Sequence, residues 1–381
     1  MYMKEDSWNL AVELVAGFLK TPARLSHLLE RLPAGLDAGA RRSCQSLLYG
    51  TVRHLKLLEK TLDGFLRRRP KPLVWASMLV ATRELMEAPE RQAKIVHHAV
   101  DRIGRFASKA EMGLVNAVLR KVPARLAELQ RTPAKTAEDL AWRYSHPRWM
   151  VERWLGQFGR ERTVRFLEWN QKEPEIFGRW QRDPEEAAFL EATEWDGFFR
   201  LEKSRWRELL PYLEEGRFYV QNPAAGIAPG MLAQRLATGR ALDLCAAPGG
   251  KSLLLERLLG KAVTEIVALD LPGPRFGRLE ANLRNYGTAR VKAVAGDASQ
   301  LVAAELGLFD GVLLDAPCSN SGVLQHKVDA RWRCDAGDLA QLVELQTRLL
   351  ERASRLVAES GTLVYSTCSV DEAENRGVVD S

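Results

Sequence analysis

Two short segments carry the residues best suited to chemistry. Residues 312–322 read VLLDAPCSNSG and residues 362–375 read TLVYSTCSVDEAEN. In each, an apolar run of strand character stops at a polar turn that presents a thiol, Cys318 in the first and Cys368 in the second. Asp315 arrives on the same strand end as Cys318. Free cysteines are usually buried and inert. That fate does not explain Asp-Ala-Pro-Cys and Ser-Thr-Cys-Ser at two strand ends. One reaction can use two thiols together. Carbon 5 of a cytosine is a poor nucleophile. A thiolate added at carbon 6 makes an enamine, and carbon 5 can then attack an electrophilic methyl group. Afterwards the hydrogen on carbon 5 must leave and the protein–base bond must break, which a second group beside the first thiol can assist. Asp315 is suited to hydrogen-bond the polar edge of the pyrimidine near N3. Lys251, at an adjacent strand end, can lower a thiol pKa or steady a carboxylate.

A third segment, LDLCAAPGGKS at 242–252, reads as a strand, a glycine turn and a helix start. A helix N-terminus favours an anionic group, and Gly249-Gly250 let backbone approach closely. The spacing is neither G-x-G-x-x-G nor G-x-x-x-x-G-K-[ST], so neither NAD nor ATP is supported. Asp270 ends the next strand, where an acid typically bonds a ribose hydroxyl. Asp297, in GDA after the third strand, is suited to accept from an adenine amino group. An adenosine with a short charged tail fits these three places, and S-adenosyl-L-methionine is such a ligand.

The elements around these segments explain how they meet. From about residue 221, strands RALDLC, EIVALD, VKAVAGDAS, FDGVLLDAPC and GTLVYSTCS alternate with helices KSLLLERLLG, RFGRLEANLRNYG and LAQLVELQTRLLERASRLVAES. This alternation predicts a doubly wound, Rossmann-like parallel sheet, whose ligands bind at the carboxyl ends of strands. Residues 1–125 show helical periodicity throughout, broken by RRRPKP at 67–72, and form an all-α bundle. They carry 22 Lys+Arg against 12 Asp+Glu, an excess that suits a polyanion such as RNA. Residues 126–172 are helical, and the spacing of Trp142, Trp149, Trp154 and Trp169 favours a core stripe over a base-stacking platform. Residues 174–220 read as a small α/β connector. The expected organisation is therefore a helical domain over 1–125, a linker and connector over 126–220, and a catalytic domain over 221–381.

Composition narrows the class. The chain has 381 residues, 46% of them hydrophobic, and a net charge of +6. It can bury a core without staples. Five scattered cysteines with no CxxC pair argue against disulfides and zinc. No apolar run approaches a membrane span. The expectation is a reduced, cytoplasmic, monomeric protein without metal.

The segments LDLCAAPGGKS, FDGVLLDAPCSNSGVL, DARWR and GTLVYSTCSVDEAEN resemble the signature motifs of RNA cytosine-C5 methyltransferases. LLYGTVRHL and GLVNAVLRKV resemble the NusB-like RNA-binding domain of the RsmB-type (Fmu/Sun) bacterial branch. HPRWMVERWLGQFG and FYVQNPAAG are similar to the linker and entry helix of that branch. The resemblance spans nearly the whole chain. It implies methylation of a cytosine in small-subunit ribosomal RNA, with S-adenosyl-L-methionine as donor. It implies that Cys368 is the nucleophile and that Cys318 assists product release. It places cofactor contacts on Cys245, Ala246, Ala247, Pro248, Gly249, Gly250, Lys251, Asp270, Asp297 and Asp315. Three segments depart from the pattern. IFGRW at 176–180 stands where a strand ending in an Arg-Val-Asn type of sequence is usual. CSNSG replaces the common Cys-Ser-Gly/Ala-Thr-Gly. The sequence also stops at Ser381, where a further helix and two strands usually follow. A methyltransferase domain truncated at its C-terminus is thus expected, with the Cys368 strand at an open edge.

Two other readings compete. In a DNA cytosine-C5 methyltransferase the Pro-Cys cysteine is the nucleophile and Cys368 is incidental; Thr367-Cys368 and the basic helical domain argue against it. A non-catalytic RNA-binding or ribosome-assembly factor would keep the fold only, and the intact cysteine pair argues against that.

Overall fold

The computed structural model describes residues 6–185, 187–300 and 306–381. They form two compact units. One runs as far as Glu173 and includes Val323–Ala336; the other holds Pro174–Gly322 and Gly337–Ser381. These limits differ from the segments drawn by sequence character. The tryptophan-bearing helices go with the basic bundle, the connector goes with the parallel sheet, and a short later stretch returns to the bundle.

The first unit is helical because amphipathic segments begin at side-chain caps. Asp6 caps Ser7–Lys20 and Asp37 caps Ala38–Arg53. Ser108 with Glu111, and Thr136 with Asp139, form reciprocal capping boxes at Lys109–Leu119 and Ala137–Arg143. Each cap gives an acceptor to a backbone N–H that the helix itself leaves unpaired. The helix Pro72–Glu87 is buried continuously from Val74 to Thr82, which places it at the centre of the bundle. Its proline at the first turn explains how RRRPKP ends one helix and starts the next. Within that run, Arg69 is tied to Glu59 and Asp63 and lies over the Trp75 ring. The tryptophan stripe is core over part of its length: Trp142 and Trp154 are buried, Trp149 is half-buried and Trp169 is exposed.

The returning stretch is fixed by polar contacts. Arg331 is wholly buried and donates to the carbonyls of Ser145, Asn170 and Leu324. Arg53 donates to the carbonyls of Asn170, Lys172 and Gln325. Trp332 Nε1 donates to the Val52 carbonyl at 3.1 Å, and Val328 joins the bundle core. Burial holds the Arg331 guanidinium down to about 9, yet it stays charged at neutral pH because carbonyl dipoles surround it.

The second unit has two sheets. β1 (Ile176–Trp180), β2 (Leu190–Ala192), β3 (Phe198–Leu201) and β4 (Phe218–Val220) form an antiparallel sheet in the order β2-β3-β1-β4. The atypical IFGRW is therefore a regular inner strand. The parallel sheet contains β5 (Gly239–Leu244), β6 (Val263–Asp270), β7 (Val291–Ala295), β8 (Phe309–Asp315) and β9 (Val357–Ser366). Its order is β7-β6-β5-β8-β9. The fold class read from the sequence, an all-α N-terminal bundle plus a doubly wound sheet, is the one observed. Strand order reverses between β5 and β8, which opens the ligand crevice of such sheets at their carboxyl ends.

One boundary differs from the periodicity. The helix expected to run through RLVAES stops at Ser354, and β9 already begins at Val357. Val357 pairs with Phe309, and after a register shift Thr362 pairs with Gly311. A side chain at Gly361 would meet backbone oxygens of Phe309 and Asp310 at 3.0 Å, so glycine lets β9 run close against β8. Among the described residues β9 is an edge of the sheet. No described helix is long and apolar enough to cross a membrane.

Candidate active site

Strand register levels the chemistry. Leu244 pairs with Leu269 on one side and Leu314 on the other, and Asp315 pairs with Ser366. The next residues, Cys245, Asp270, Asp315 and Ser366, therefore leave the sheet at one height.

The turn after β5 is the first component. Cys245 has φ 60°, Gly249 has φ 101°, and the Ala247–Pro248 peptide is cis. The helix Gly250–Leu258 starts here and aims its unpaired first-turn N–H groups at the crevice. A side chain at Gly250 would lie 3.0 Å from the Tyr219 ring and 3.3 Å from Gln221. Beneath it Arg179, almost fully buried, donates to Gln221 at 2.7 Å and to the Gly250 carbonyl at 3.3 Å. Arg179, Tyr219 and Gln221 were not legible as site residues, because the connector that carries them lies far away in sequence. Burial pushes the Cys245 thiol up to about 12, so this cysteine shapes the turn rather than reacting.

Asp270 braces the same turn. It is 6% exposed, and its Oδ2 accepts from Ala247 N at 2.8 Å while Oδ1 accepts from Leu271 N at 2.8 Å. Each oxygen retains a lone pair for a ligand hydroxyl. Asp297 is used differently from its neighbours. Its Oδ1 accepts from the Ser299 hydroxyl and N–H, and Oδ2 accepts from Gln300. These bonds, the Ser299 hydroxyl first, hold its carboxyl below the usual range. Asp297 thus orders its own turn, with spare acceptor capacity on each oxygen. The donor set fits an adenosine bearing a charged tail: a glycine turn at a helix mouth, a buried carboxylate and a second carboxylate one strand further.

Asp243, one position from the end of β5, is completely buried and accepts from the Ser252 hydroxyl at 2.5 Å. Its other oxygen has no hydrogen-bond partner. Burial raises this carboxyl to about 7, against about 4 for a free aspartate. A raised acid stabilises the fold below pH ~4 and loses that contribution as pH rises through its folded value. Asp243→Asn is therefore expected to flatten the decline in thermal midpoint between pH 5 and pH 8. At the upper end the change relative to the native profile should be about 3 °C. Melting curves at both pH values check this; an unchanged slope would assign the decline to other groups.

The second component is a pair of interlocked loops. Lys251 Nζ lies 2.5 Å from Asp315 Oδ2, and Ser366 donates to Oδ1 at 3.0 Å. Lysine and carboxylate are thus joined across β5 and β8, so Lys251 steadies a carboxylate. The loops after β8 and β9 then bring the thiols together, with Cys318 Sγ 3.1 Å from Cys368 Sγ and no disulfide between them. Gly322 N donates to the Cys368 carbonyl at 2.9 Å, and Ser321 bonds to Ser369 Oγ and Val370 N. Thr367 donates to Asn375, whose amide donates to the carbonyls of Ser369 and Asp371. Glu374 is wholly buried, and its carboxylate accepts from Ser319 N–H, the Ser319 hydroxyl and Gln346. Gln346 also donates to the Pro317 carbonyl. The Cys318 thiol is pushed well above its ordinary pKa, first by its contact with Cys368 and then by burial. Cys318 therefore keeps its proton at neutral pH.

Comparisons with known proteins identify the relatives of the chain. Residues 232–381 match the family described as 16S rRNA methyltransferase RsmB/F, and residues 32–124 match the NusB family. The chain is 31% identical to ribosomal RNA small subunit methyltransferase B of Sodalis glossinidius, over 97% of this chain and 87% of that protein. It is 29% identical to the probable ribosomal RNA small subunit methyltransferase B of Bacillus subtilis, over 87% of this chain and 77% of the relative. The crystal structure of PH0851 superposes with a TM-score of 0.74 at 23% identity, over 100% of this chain and 89% of that one, a likeness of fold.

Proposed function

Because the chain belongs to the RsmB/F family of 16S rRNA methyltransferases, we propose that it methylates carbon 5 of a cytosine in small-subunit ribosomal RNA. The observation that carries this reading is the pair of unbridged thiols 3.1 Å apart on the loops that follow adjacent strands β8 and β9. S-adenosyl-L-methionine, when bound, supplies the electrophilic methyl group. Gly249, Gly250 and the first-turn N–H groups of their helix would hold its charged tail, Asp270 its ribose and Asp297 its base. Asp315, held in place by Lys251, accepts from the polar edge of the cytosine and fixes the ring over the thiols. Cys368, as thiolate, bonds to carbon 6, and electron density moves to carbon 5. Once Cys368 is tied up as a thioether, the contact that most raises the Cys318 thiol is gone. Cys318 can then give its own proton to water and, as thiolate, accept the proton that leaves carbon 5. The electron pair of that C–H bond re-forms the ring double bond and expels the Cys368 sulfur. The basic segment 1–125 supplies phosphate contacts.

The test is methyl transfer by the full chain to unmodified small-subunit ribosomal RNA, followed by digestion and mass spectrometry. 5-Methylcytidine is expected; methylation of another base or atom would overturn the reading. The cofactor site is tested separately. Asp270→Ala removes one charge-assisted acceptor worth about 1.5–3 kcal/mol, so S-adenosyl-L-methionine affinity is expected to fall roughly ten- to hundred-fold. Titration calorimetry showing native affinity in the variant would remove Asp270 from the site.

A further inference from the structure

One of the two residues that depart from the Cys-Ser-Gly/Ala-Thr-Gly pattern, Asn320, touches both cysteines. Asn320 adopts φ 62°, a left-handed conformation that asparagine tolerates better than most residues. Its Nδ2 donates to the Cys318 carbonyl at 2.8 Å. A carbonyl can only accept, so this bond fixes which end of the amide is oxygen. Oδ1 therefore faces Cys368, with Sγ at 3.3 Å. An amide oxygen can only accept, so Cys368 spends its single hydrogen on Asn320. The 3.1 Å contact between the sulfurs must then be donated by Cys318. The result is a one-way chain, Cys318 S–H to Cys368 S–H to Asn320 Oδ1. The raised pKa of Cys318 agrees with a thiol that keeps its proton at the head of such a chain.

The chain has unequal effects on the two protonation states of Cys368. When Cys368 loses its proton, Cys318 still donates to it, but the Asn320 oxygen is left with its lone pairs against an anion. A hydrogen bond made only to the neutral form disfavours the charged one. We propose that Asn320 is a positioning residue that aims the Cys368 thiol and sets the pH at which it becomes a thiolate, holding it protonated in the resting site. A glycine or alanine at this place cannot do so. The other titratable groups on the surrounding strand ends and loops are Cys318, the Asp315–Lys251 pair, Glu374, Asp371 and Tyr365. A substitution at 320 changes none of these residues, although Asn320→Gly also removes the Nδ2 bond to the Cys318 carbonyl. The catalytic meaning of this tuning rests on the proposed role of Cys368, but the titration is read without RNA or cofactor, so either can fail alone.

The experiment is alkylation of the full chain with iodoacetamide from pH 6 to pH 10, with Cys368 labelling read by peptide mass spectrometry. Asn320→Gly keeps the left-handed backbone and removes the acceptor. The midpoint for Cys368 is expected to fall by about 0.5–1 unit, the size of one modest hydrogen bond. Asn320→Asp places a charge beside the sulfur and is expected to raise the midpoint above native. Cys44, which is fully buried, stays unlabelled wherever the fold is intact. If one variant fails that check, the other decides. An Asn320→Gly midpoint at or above native, or an Asn320→Asp midpoint at or below it, overturns the proposal.

Discussion

Cys368→Ala is expected to abolish both methyl transfer and any covalent protein–RNA species, lowering turnover by roughly 10^4-fold or more. The size of the effect follows from the absence of a substitute. The nearest other thiol, Cys318, loses its contact with residue 368 in this variant, but burial still raises its pKa, and it lies on the neighbouring loop rather than at the Cys368 position. The hydroxyls nearby are committed: Ser366 donates to Asp315, Thr367 to Asn375, and Ser321 is bonded to Ser369. The check is a methylation assay beside a denaturing gel of the protein–RNA mixture. Residual turnover within tenfold of native would move the nucleophile elsewhere.

Cys318→Ala is expected to fail at a different stage, and visibly. Addition of Cys368 and methylation of carbon 5 remain possible, but no thiol stands beside the ring to mediate proton loss. The adduct should therefore accumulate as a slow band on a denaturing gel, while turnover falls by about 10^2–10^4-fold, the usual range for a missing acid or base. The loops should survive the change, because Gly322, Ser321, Asn375 and Glu374 zip them independently of the sulfurs. If Cys368→Ala traps the adduct and Cys318→Ala does not, the roles are exchanged, and the chemistry is that of the DNA-type arrangement.

Much of this site is legible in local sequence, and the reason is strand register. Apolar runs ending in Asp-Ala-Pro-Cys, Ser-Thr-Cys-Ser and Leu-Asp mark strand ends, and a parallel sheet puts such ends at one height. What local spacing cannot reveal is pairing across long separations. Glu374 is fully buried under Ser319 and Gln346, although its setting, DEAEN, reads as a solvated acidic turn. Arg179 looks like a departure from a pattern, yet it supports the glycine turn from a different sheet. Asp297 could have been anticipated more fully. Asp-Ala-Ser is a common signature of a side chain that bonds its own turn, and that is where its oxygens go. Asn320 is visible as an oddity, but its meaning depends on which end of the amide faces sulfur, and only the Cys318 carbonyl decides that.

The return of Val323–Ala336 to the helical unit has a consequence for biosynthesis. Synthesis runs from the N-terminus, so the helices up to Glu173 leave the ribosome well before the residues that complete them. At about 5–20 residues per second, roughly ten to thirty seconds separate Glu173 from Ala336. Through that interval the carbonyls of Val52, Ser145 and Asn170 await Trp332 and Arg331 and must be satisfied by water instead. The bundle closes only after β8 has delivered Asp315 and Cys318, so a gene fragment ending at residue 173 encodes a unit without its last piece.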